Sequence, residues 1–243
     1  MTGGSRGIGR AVVLALAAAG AEVAINYLRN ETAARETAAQ VTRLGSRVSL
    51  VPGDVGDEKD LEAVFQQTSD QLGQLDIFVA CAVAPVARSV LEMTAEDWDL
   101  SMRVNARAFL LGSRIAGGLM RNGTGRIIAI SSTGTHMIRN PLYAPLAVAK
   151  GAVEAAVRFL AVALAPRGIT VNIVAPGPTA TEAFDTMAGA DPARLRAELA
   201  ARTPMGRLGE PQDAANLIAF LCSEEAKWIT GQLIFSDGGY SLR

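Results

Sequence analysis

The chain has three tyrosines (Tyr27, Tyr143 and Tyr240) and three lysines (Lys59, Lys150 and Lys227), and of these only Tyr143 and Lys150 lie close together. A phenol with a pKa of roughly 10 can donate a proton at neutral pH when a neighbouring ammonium stabilises the phenolate left behind. Lys150 can supply that charge and can also hold ribose hydroxyls. Both residues follow the apolar, β-rich run 125–132, on the side where ligands meet an open α/β sheet, the crevice at the carboxyl ends of its strands. Alone, the pair has a plainer alternative in a packed ring and a surface cation. A second motif, near the start of the chain, raises it above that reading.

That motif is Thr2-Gly3-Gly4-Ser5-Arg6-Gly7-Ile8-Gly9, which opens a helical pattern. Closely spaced glycines let backbone amides approach a pyrophosphate at the positive end of a helix. Gly3, Gly7 and Gly9 are the essential set, with Ser5, Arg6 and Ile8 completing the loop. Such a loop ordinarily follows a strand, and here only Met1 precedes it. In a doubly wound sheet that strand is central, so its absence is expected to leave two inner strands with unpaired edges and to impair folding. The expectation is therefore a misassigned or truncated start, with a GTG valine codon read as the initiating Met.

Cofactor preference is read about 20 residues further on, where an acidic side chain would hydrogen-bond an adenosine ribose. Tyr27 stands there, flanked by Asn26, Leu28 and Arg29. No carboxylate repels a 2′-phosphate, and Arg6 and Arg29 are cations able to pair with one, which favours NADPH over NADH. Arg29 is equally read as a solvated surface charge. Asp54 and Val55 end the third strand beside an adenine edge, although Asp54 also suits the cap of the helix beginning near Asp57.

These groups need a framework. Apolar runs at Glu22 to Tyr27, Arg47 to Val55, Asp76 to Val83, Gly125 to Ser132, Ile169 to Ala175 and Gln232 to Ser236 alternate with helical periodicity at Ile8 to Ala19, Ala33 to Leu44, Glu58 to Leu72, Ala95 to Met120 and Gly151 to Leu164. Continuous apolar strands between helices imply one α/β domain over residues 1–243, a doubly wound parallel sheet of Rossmann type with helices on both faces and its first strand missing. The segment 178–211 has no strand pattern and reads as a substrate lid. With 23 basic and 24 acidic residues and no basic patch, nucleic acid is not an expected partner. Cys81 and Cys222 sit in apolar runs and read as core filling, with no disulfide framework and no metal site. No leader or membrane span is apparent, so the chain reads as cytoplasmic.

Taken together, the TGGSRGIG loop, Asp54-Val55, Asn105 in RVNARAF, Ser131-Ser132 in IAISS, Tyr143 with Lys150, VNIVAPGPTAT at 171–181 and ITGQLIFSDGG at 229–239 resemble the short-chain dehydrogenases/reductases over essentially the whole chain. The resemblance implies that Tyr143 is the proton donor, that Ser132 orients the substrate carbonyl, that Lys150 binds ribose and lowers the tyrosine pKa, and that Asn105 holds a proton-relay water. It also implies contacts from Pro176, Gly177 and Thr181 to the nicotinamide carboxamide and phosphates. A homotetramer or homodimer is implied as well, with the helices at 95–120 and 151–164 packed across subunits.

One departure bears on the substrate. The common pattern has three residues between tyrosine and lysine, whereas Tyr143 and Lys150 are separated by six, and Leu146 stands four before Lys150. Pro145 suits a first helical turn and disfavours helical geometry at Ala144, which puts Tyr143 ahead of the helix carrying Lys150. Six-residue spacing, with INYLRNETAARETA, LDIFVACAVAPVARSVLEMTAEDWD and RNGTGRIIAISSTG, resembles the type III enoyl-acyl-carrier-protein reductases. In enoyl thioester reduction, hydride attacks C3 while charge gathers on an oxygen two bonds further away, so the acid moves with that oxygen. Ala175-Pro176-Gly177 instead follows the ketoreductase version of its motif, and Ala80-Cys81-Ala82-Val83 replaces the usual Asn-Asn-Ala-Gly. The leading expectation is an NADPH-dependent enoyl thioester reductase acting on an acyl-carrier-protein or coenzyme A substrate. The alternatives are a 3-ketoacyl or polyketide ketoreductase and a catalytically silent NADP(H)-binding regulator or scaffold. His136 lies between Ser132 and Tyr143 and reads either as a substrate-facing group or as a surface histidine.

Overall fold

Alternation of side chains along two central strands sets the layers. In β4 (Arg126–Ile130), Ile127 and Ala129 point to one face of the sheet and Ile128 and Ile130 to the other. Both faces are apolar because both are covered. Phe65, Phe109, Val153 and Val157 cover one face, and Val12, Leu16, Ile218 and Leu221 the other. Full burial of a side chain such as Ile128 contributes roughly 1.5–3 kcal/mol. The architecture was obtained as a computed structural model that describes residues 1–188 and 191–243.

The other strands are β1 (Val23–Tyr27), β2 (Val48–Pro52), β3 (Ile77–Ala80), β5 (Thr170–Pro176) and β6 (Leu233–Ser236). All pairings are parallel, in the orders β1-β2 and β3-β4-β5-β6. Met1 and Thr2 stand between the two groups. Asn26 N donates to Met1 O (3.0 Å), Thr2 N to Val79 O (3.1 Å) and Cys81 N to Thr2 O (3.3 Å). The Met1 amine donates to Ala24 O (3.0 Å), and its burial lowers its pKa to about 6. This short stub joins β1 to β3 at the level of the glycine loop. Beside it lies a small, partly open cleft bounded by Met1, Ala24, Val64, Phe65, Ile77 and Phe78.

Helices α1 (Gly7–Ala18), α2 (Glu31–Arg43) and α3 (Glu58–Leu72) follow the sequence pattern. The pattern at 95–120 is not one uniform helix. It divides into α4 (Ala95–Ser101), a π-helical turn (Met102–Arg107) and α5 (Ala108–Leu119). Helix α6 (Ala144–Leu164) begins seven residues before Gly151, and Ala144 is helical at φ −53°, ψ −48° despite the proline that follows. The reason is local: Asn140 Oδ1 accepts from Leu142 N (3.0 Å) and Asn140 O from Tyr143 N (3.0 Å). The 3-10 turn Pro141–Tyr143 thus curls the chain before Pro145 is reached. The expected lid at 178–211 contains α7 (Glu182–Ala188), α8 (Pro192–Arg202) and a bridge between Thr179 and Gly209, while its residues 189 and 190 lie outside the described residues. Helix α9 (Pro211–Leu221), absent from the sequence reading, packs on α1. Among the described residues, no helix is long and apolar enough to cross a membrane.

Candidate active site

Backbone geometry accounts for the glycine loop. Gly3 and Gly7 have φ of +64° and +55°, where an L side chain is strained. A β-carbon at Gly9 would stand 2.1 Å from Gly3 O. Arg6 precedes α1 without any side-chain cap, and no acidic residue lies in the first turn. A helix start left uncapped behind bare backbone fits an anionic ligand. Two residues missed by the sequence reading brace this loop: Ser5 O accepts from Thr37 Oγ1 (2.9 Å) and Arg10 Nε (3.2 Å). Ile8 packs into the core beneath it.

Arg6 is exposed and pairs with Glu182 at the start of α7 (3.3 Å). Tyr27 ends β1, and Arg29 is exposed just before Asn30, which caps α2. Asp54 accepts from Gly56 N (2.8 Å), whereas Asp57 caps α3, so the capping alternative for Asp54 falls to Asp57. Val55 is buried. Pro176 ends β5, and Gly177 is so close to Asp237 that a β-carbon would lie 2.8 Å from it. Thr181 caps the turn into α7 through Phe184 N (3.1 Å) and stands over Gly7.

Tyr143 and Ser132 are brought together. Gly134 N donates to Ser132 Oγ (3.1 Å), and a β-carbon at Gly134 would touch both the Tyr143 ring and Ser132 Oγ, which makes the serine hydroxyl the polar group beside the phenol. Burial raises the Tyr143 pKa, and the Ser132 contact opposes that rise. Lys150 is buried on α6. Its Nζ donates to Ile130 O (2.6 Å), and burial lowers its pKa to about 8. The position four before Lys150 is filled by the buried Leu146.

Asn105 occupies the π-helical turn. Its Nδ2 donates to Ser101 O (2.9 Å), while its Oδ1 is buried without a protein donor. Lys150 and Asn105 line a narrow, partly open cleft that also meets Thr2, Ala80 and Ala129. The bare loop, the uncapped helix start and this unpaired amide oxygen fit a dinucleotide, for which Lys150 is the nearby cation. In place of a side-chain tie at position 81, Thr2 Oγ1 accepts from Cys81 N (3.2 Å) and Ala82 N (3.4 Å). Burial raises the Cys81 thiol to about 11. His136 is exposed at one edge, with Nε2 3.0 Å from Glu154 Oε2 and its ring edge-on to Phe235.

Comparison with known proteins gives a family model described as enoyl-(acyl carrier protein) reductase, which matches residues 3–241. The 1-cyclohexenylcarbonyl-CoA reductase of Streptomyces collinus is 37% identical over 242 residues, covering 100% of this chain and 86% of that protein. The reductase LugOII, described as catalysing keto-reduction at C1 in lugdunomycin biosynthesis, is 39% identical with a TM-score of 0.89, covering 99% of this chain and 96% of that one. The angucycline C-6 ketoreductase LanV, solved with bound NADP, is 35% identical with a TM-score of 0.90, covering 100% of this chain and 94% of that one.

Proposed function

Since the chain belongs to the short-chain dehydrogenase/reductase family and is an oxidoreductase, we propose that it is an NADPH-dependent reductase of the carbon–carbon double bond of an enoyl thioester. The observation that carries this reading is the placement of Tyr143. Its ring packs against Gly134 on the segment after β4, beside Ser132, and Leu146 fills the helical site four residues before Lys150. An acid displaced in this way suits charge that gathers on a thioester oxygen two bonds from the carbon being reduced. The similarity to 1-cyclohexenylcarbonyl-CoA reductase supports the same substrate class.

The cofactor is NADP(H), which supplies the hydride when bound. The residues that would hold it are Gly3, Ser5, Arg6, Gly7, Ile8 and Gly9 at the phosphates, Tyr27, Arg29, Asp54 and Val55 around the adenosine, and Lys150, Pro176, Gly177 and Thr181 toward the nicotinamide end. Tyr143 donates the proton at its hydroxyl. Ser132 donates a hydrogen bond to that oxygen and so stabilises it once the proton has left. Asn105 supplies a buried acceptor behind Lys150.

The second reading is a 3-ketoacyl or polyketide ketoreductase. It is favoured by Ala175-Pro176-Gly177 at the end of β5 and by the keto-reducing activity named for LugOII and LanV. Purified protein and NADPH, incubated in parallel with crotonyl and acetoacetyl thioesters of coenzyme A and of acyl carrier protein, separate the two. Turnover of the enoyl substrate is expected, and turnover of the ketone alone overturns the enoyl reading. The same reading takes the protein as a homotetramer or homodimer, because α6 presents Phe159 and Val162 at 81% and 78% exposure.

A further inference from the structure

Three donors from one short segment converge on a single buried carboxylate. Glu154 Oε1 accepts from Ser131 Oγ (2.6 Å) and Thr135 Oγ1 (2.7 Å), and Oε2 lies 3.0 Å from His136 Nε2. Glu154 is 8% exposed and stands one helical turn beyond Lys150 on the same face of α6. Ser132 lies inside the segment so anchored, with a tie to the carboxylate on each side. Thr135 Oγ1 is also 2.8 Å from Ser132 O, so its single proton is shared between the carboxylate and the serine backbone. The mechanism above uses neither Glu154 nor its three partners.

We propose that Glu154 is a positioning residue for Ser132 and, through it, for the hydroxyl of Tyr143. A desolvated carboxylate must keep its donors, so moving the segment at 131–136 costs the carboxylate its partners. The serine is thereby fixed relative to α6, the helix that carries Lys150. Tyr143 caps the start of α6 and Lys150 lies within it, so the ties from Glu154 to Ser131 and Thr135 hold the Ser132 segment in the frame of that helix. The inference rests on the reductase reading for its kinetic consequence, but not for its structural one.

The test uses full-length protein with Glu154→Leu, Glu154→Gln and the double variant Ser131→Ala/Thr135→Val. Turnover of whichever thioester or ketone the wild type reduces is measured alongside NADPH fluorescence titration. Phenolate absorbance against pH is followed in each background with and without Tyr143→Phe, which isolates Tyr143. Glu154→Leu is expected to lower kcat by about 30-fold or more with NADPH affinity unchanged. Loss of the Ser132 contact should raise the Tyr143 titration, because that contact opposes the rise caused by burial. Glu154→Gln keeps an oxygen for both hydroxyls and an amide facing His136, so it should stay within about threefold of wild type. If the leucine variant does not fold, the double variant decides by the same readouts. An unmoved kcat and Tyr143 titration, NADPH affinity falling in step with kcat, or a glutamine variant as impaired as leucine each overturns the proposal. A wild type that reduces neither substrate class defeats the reductase reading instead, and the Tyr143 titration still decides the role of Glu154.

Discussion

The ring of Tyr143 lies so close to Gly134 that a β-carbon at position 134 would stand 2.6 Å from its Cδ1 and Cε1. Gly134 also donates its N–H to Ser132 Oγ. The glycine therefore serves the phenol twice, as the floor beneath the ring and as a donor to the serine hydroxyl beside it. Gly134→Ala is expected to push the ring off this floor and lower kcat by about 100-fold, as displacement of a reacting group by about 1 Å does. NADPH affinity should not move, because the phosphate loop is elsewhere. Steady-state kinetics with a parallel binding titration check both, and wild-type kcat in the alanine variant would show that the ring is not fixed there in turnover.

The proton-donating form of Tyr143 is the neutral phenol, and burial raises its pKa above the ordinary tyrosine value. The expected kcat is flat through neutral pH and falls only as pH rises past that raised pKa. Tyr143→Phe should lose about 100-fold to 10,000-fold, the usual contribution of a general acid, and should lose the alkaline fall as well. A pH–rate profile of the two proteins tests this, and the same alkaline limb in the phenylalanine variant would assign it to another group.

Much of this arrangement was legible in the sequence for identifiable reasons. The six strands stood out because both faces of the sheet are covered, which leaves apolar runs such as Arg126–Ile130 without alternation. Gly3, Gly7 and Gly9 stood out because each is required by φ or by contact. The start of α6 did not, since the local rule at Pro145 is overridden by a turn that Asn140 closes eleven residues before Gly151, and that closure is a hydrogen bond, not a composition. The π-helical turn at Asn105 leaves no mark on periodicity. Glu154 was invisible for a different reason: its donors lie 18 to 23 residues upstream, and only the fold makes them neighbours.

Lys150 offers a stability test independent of catalysis. Burial lowers its pKa from 10.5 to about 8, so the folded state disfavours the ammonium. Between about pH 8 and 10.5 the unfolded chain holds more protons at this position than the folded one, and stability from this group therefore rises with pH across that window. Below pH 8 both states are protonated and the cost of the buried charge is fully present. Lys150→Met removes the effect. The wild type should gain on the variant by up to about 3 kcal/mol as pH is raised through the window, read as the difference in denaturant unfolding free energies. Parallel curves would place the Lys150 pKa at its ordinary value. Cys81, raised to about 11, contributes with opposite sign, and because Lys150 lowers that thiol's pKa the comparison is cleanest below about pH 9, where the thiol stays protonated.

Arg6 stands on the phosphate loop and pairs with Glu182 across to α7, both side chains exposed at 57% and 76%. An exposed pair of this kind contributes little to folding, so its loss should be felt at the cofactor rather than in stability. Arg6→Ala is expected to weaken NADPH binding about tenfold, the scale of one charge-assisted hydrogen bond, and NADH binding much less. Fluorescence titration with both cofactors gives the ratio. Equal losses for the two would remove Arg6 from 2′-phosphate recognition.

On α6, Phe159 and Val162 are three residues apart and therefore share one face of the helix, pointing away from Val153, Val157 and Ala161 in the core. Two large apolar groups at such exposure on the long helix of the site are costly to leave in water, and a second copy of the same face can cover them isologously. Phe159→Asp with Val162→Asp places like charges against each other across that contact, where a two-fold interface repeats every substitution. The expected result is a shift of mass by light scattering from dimer or tetramer toward a smaller species, with thermal stability of the separated chain reduced. Because Glu154 and Lys150 lie on the opposite, buried side of the same helix, turnover per chain should fall less than the mass does. An unchanged mass in the double aspartate variant would move the subunit contact to another surface and leave Phe159 and Val162 facing solvent.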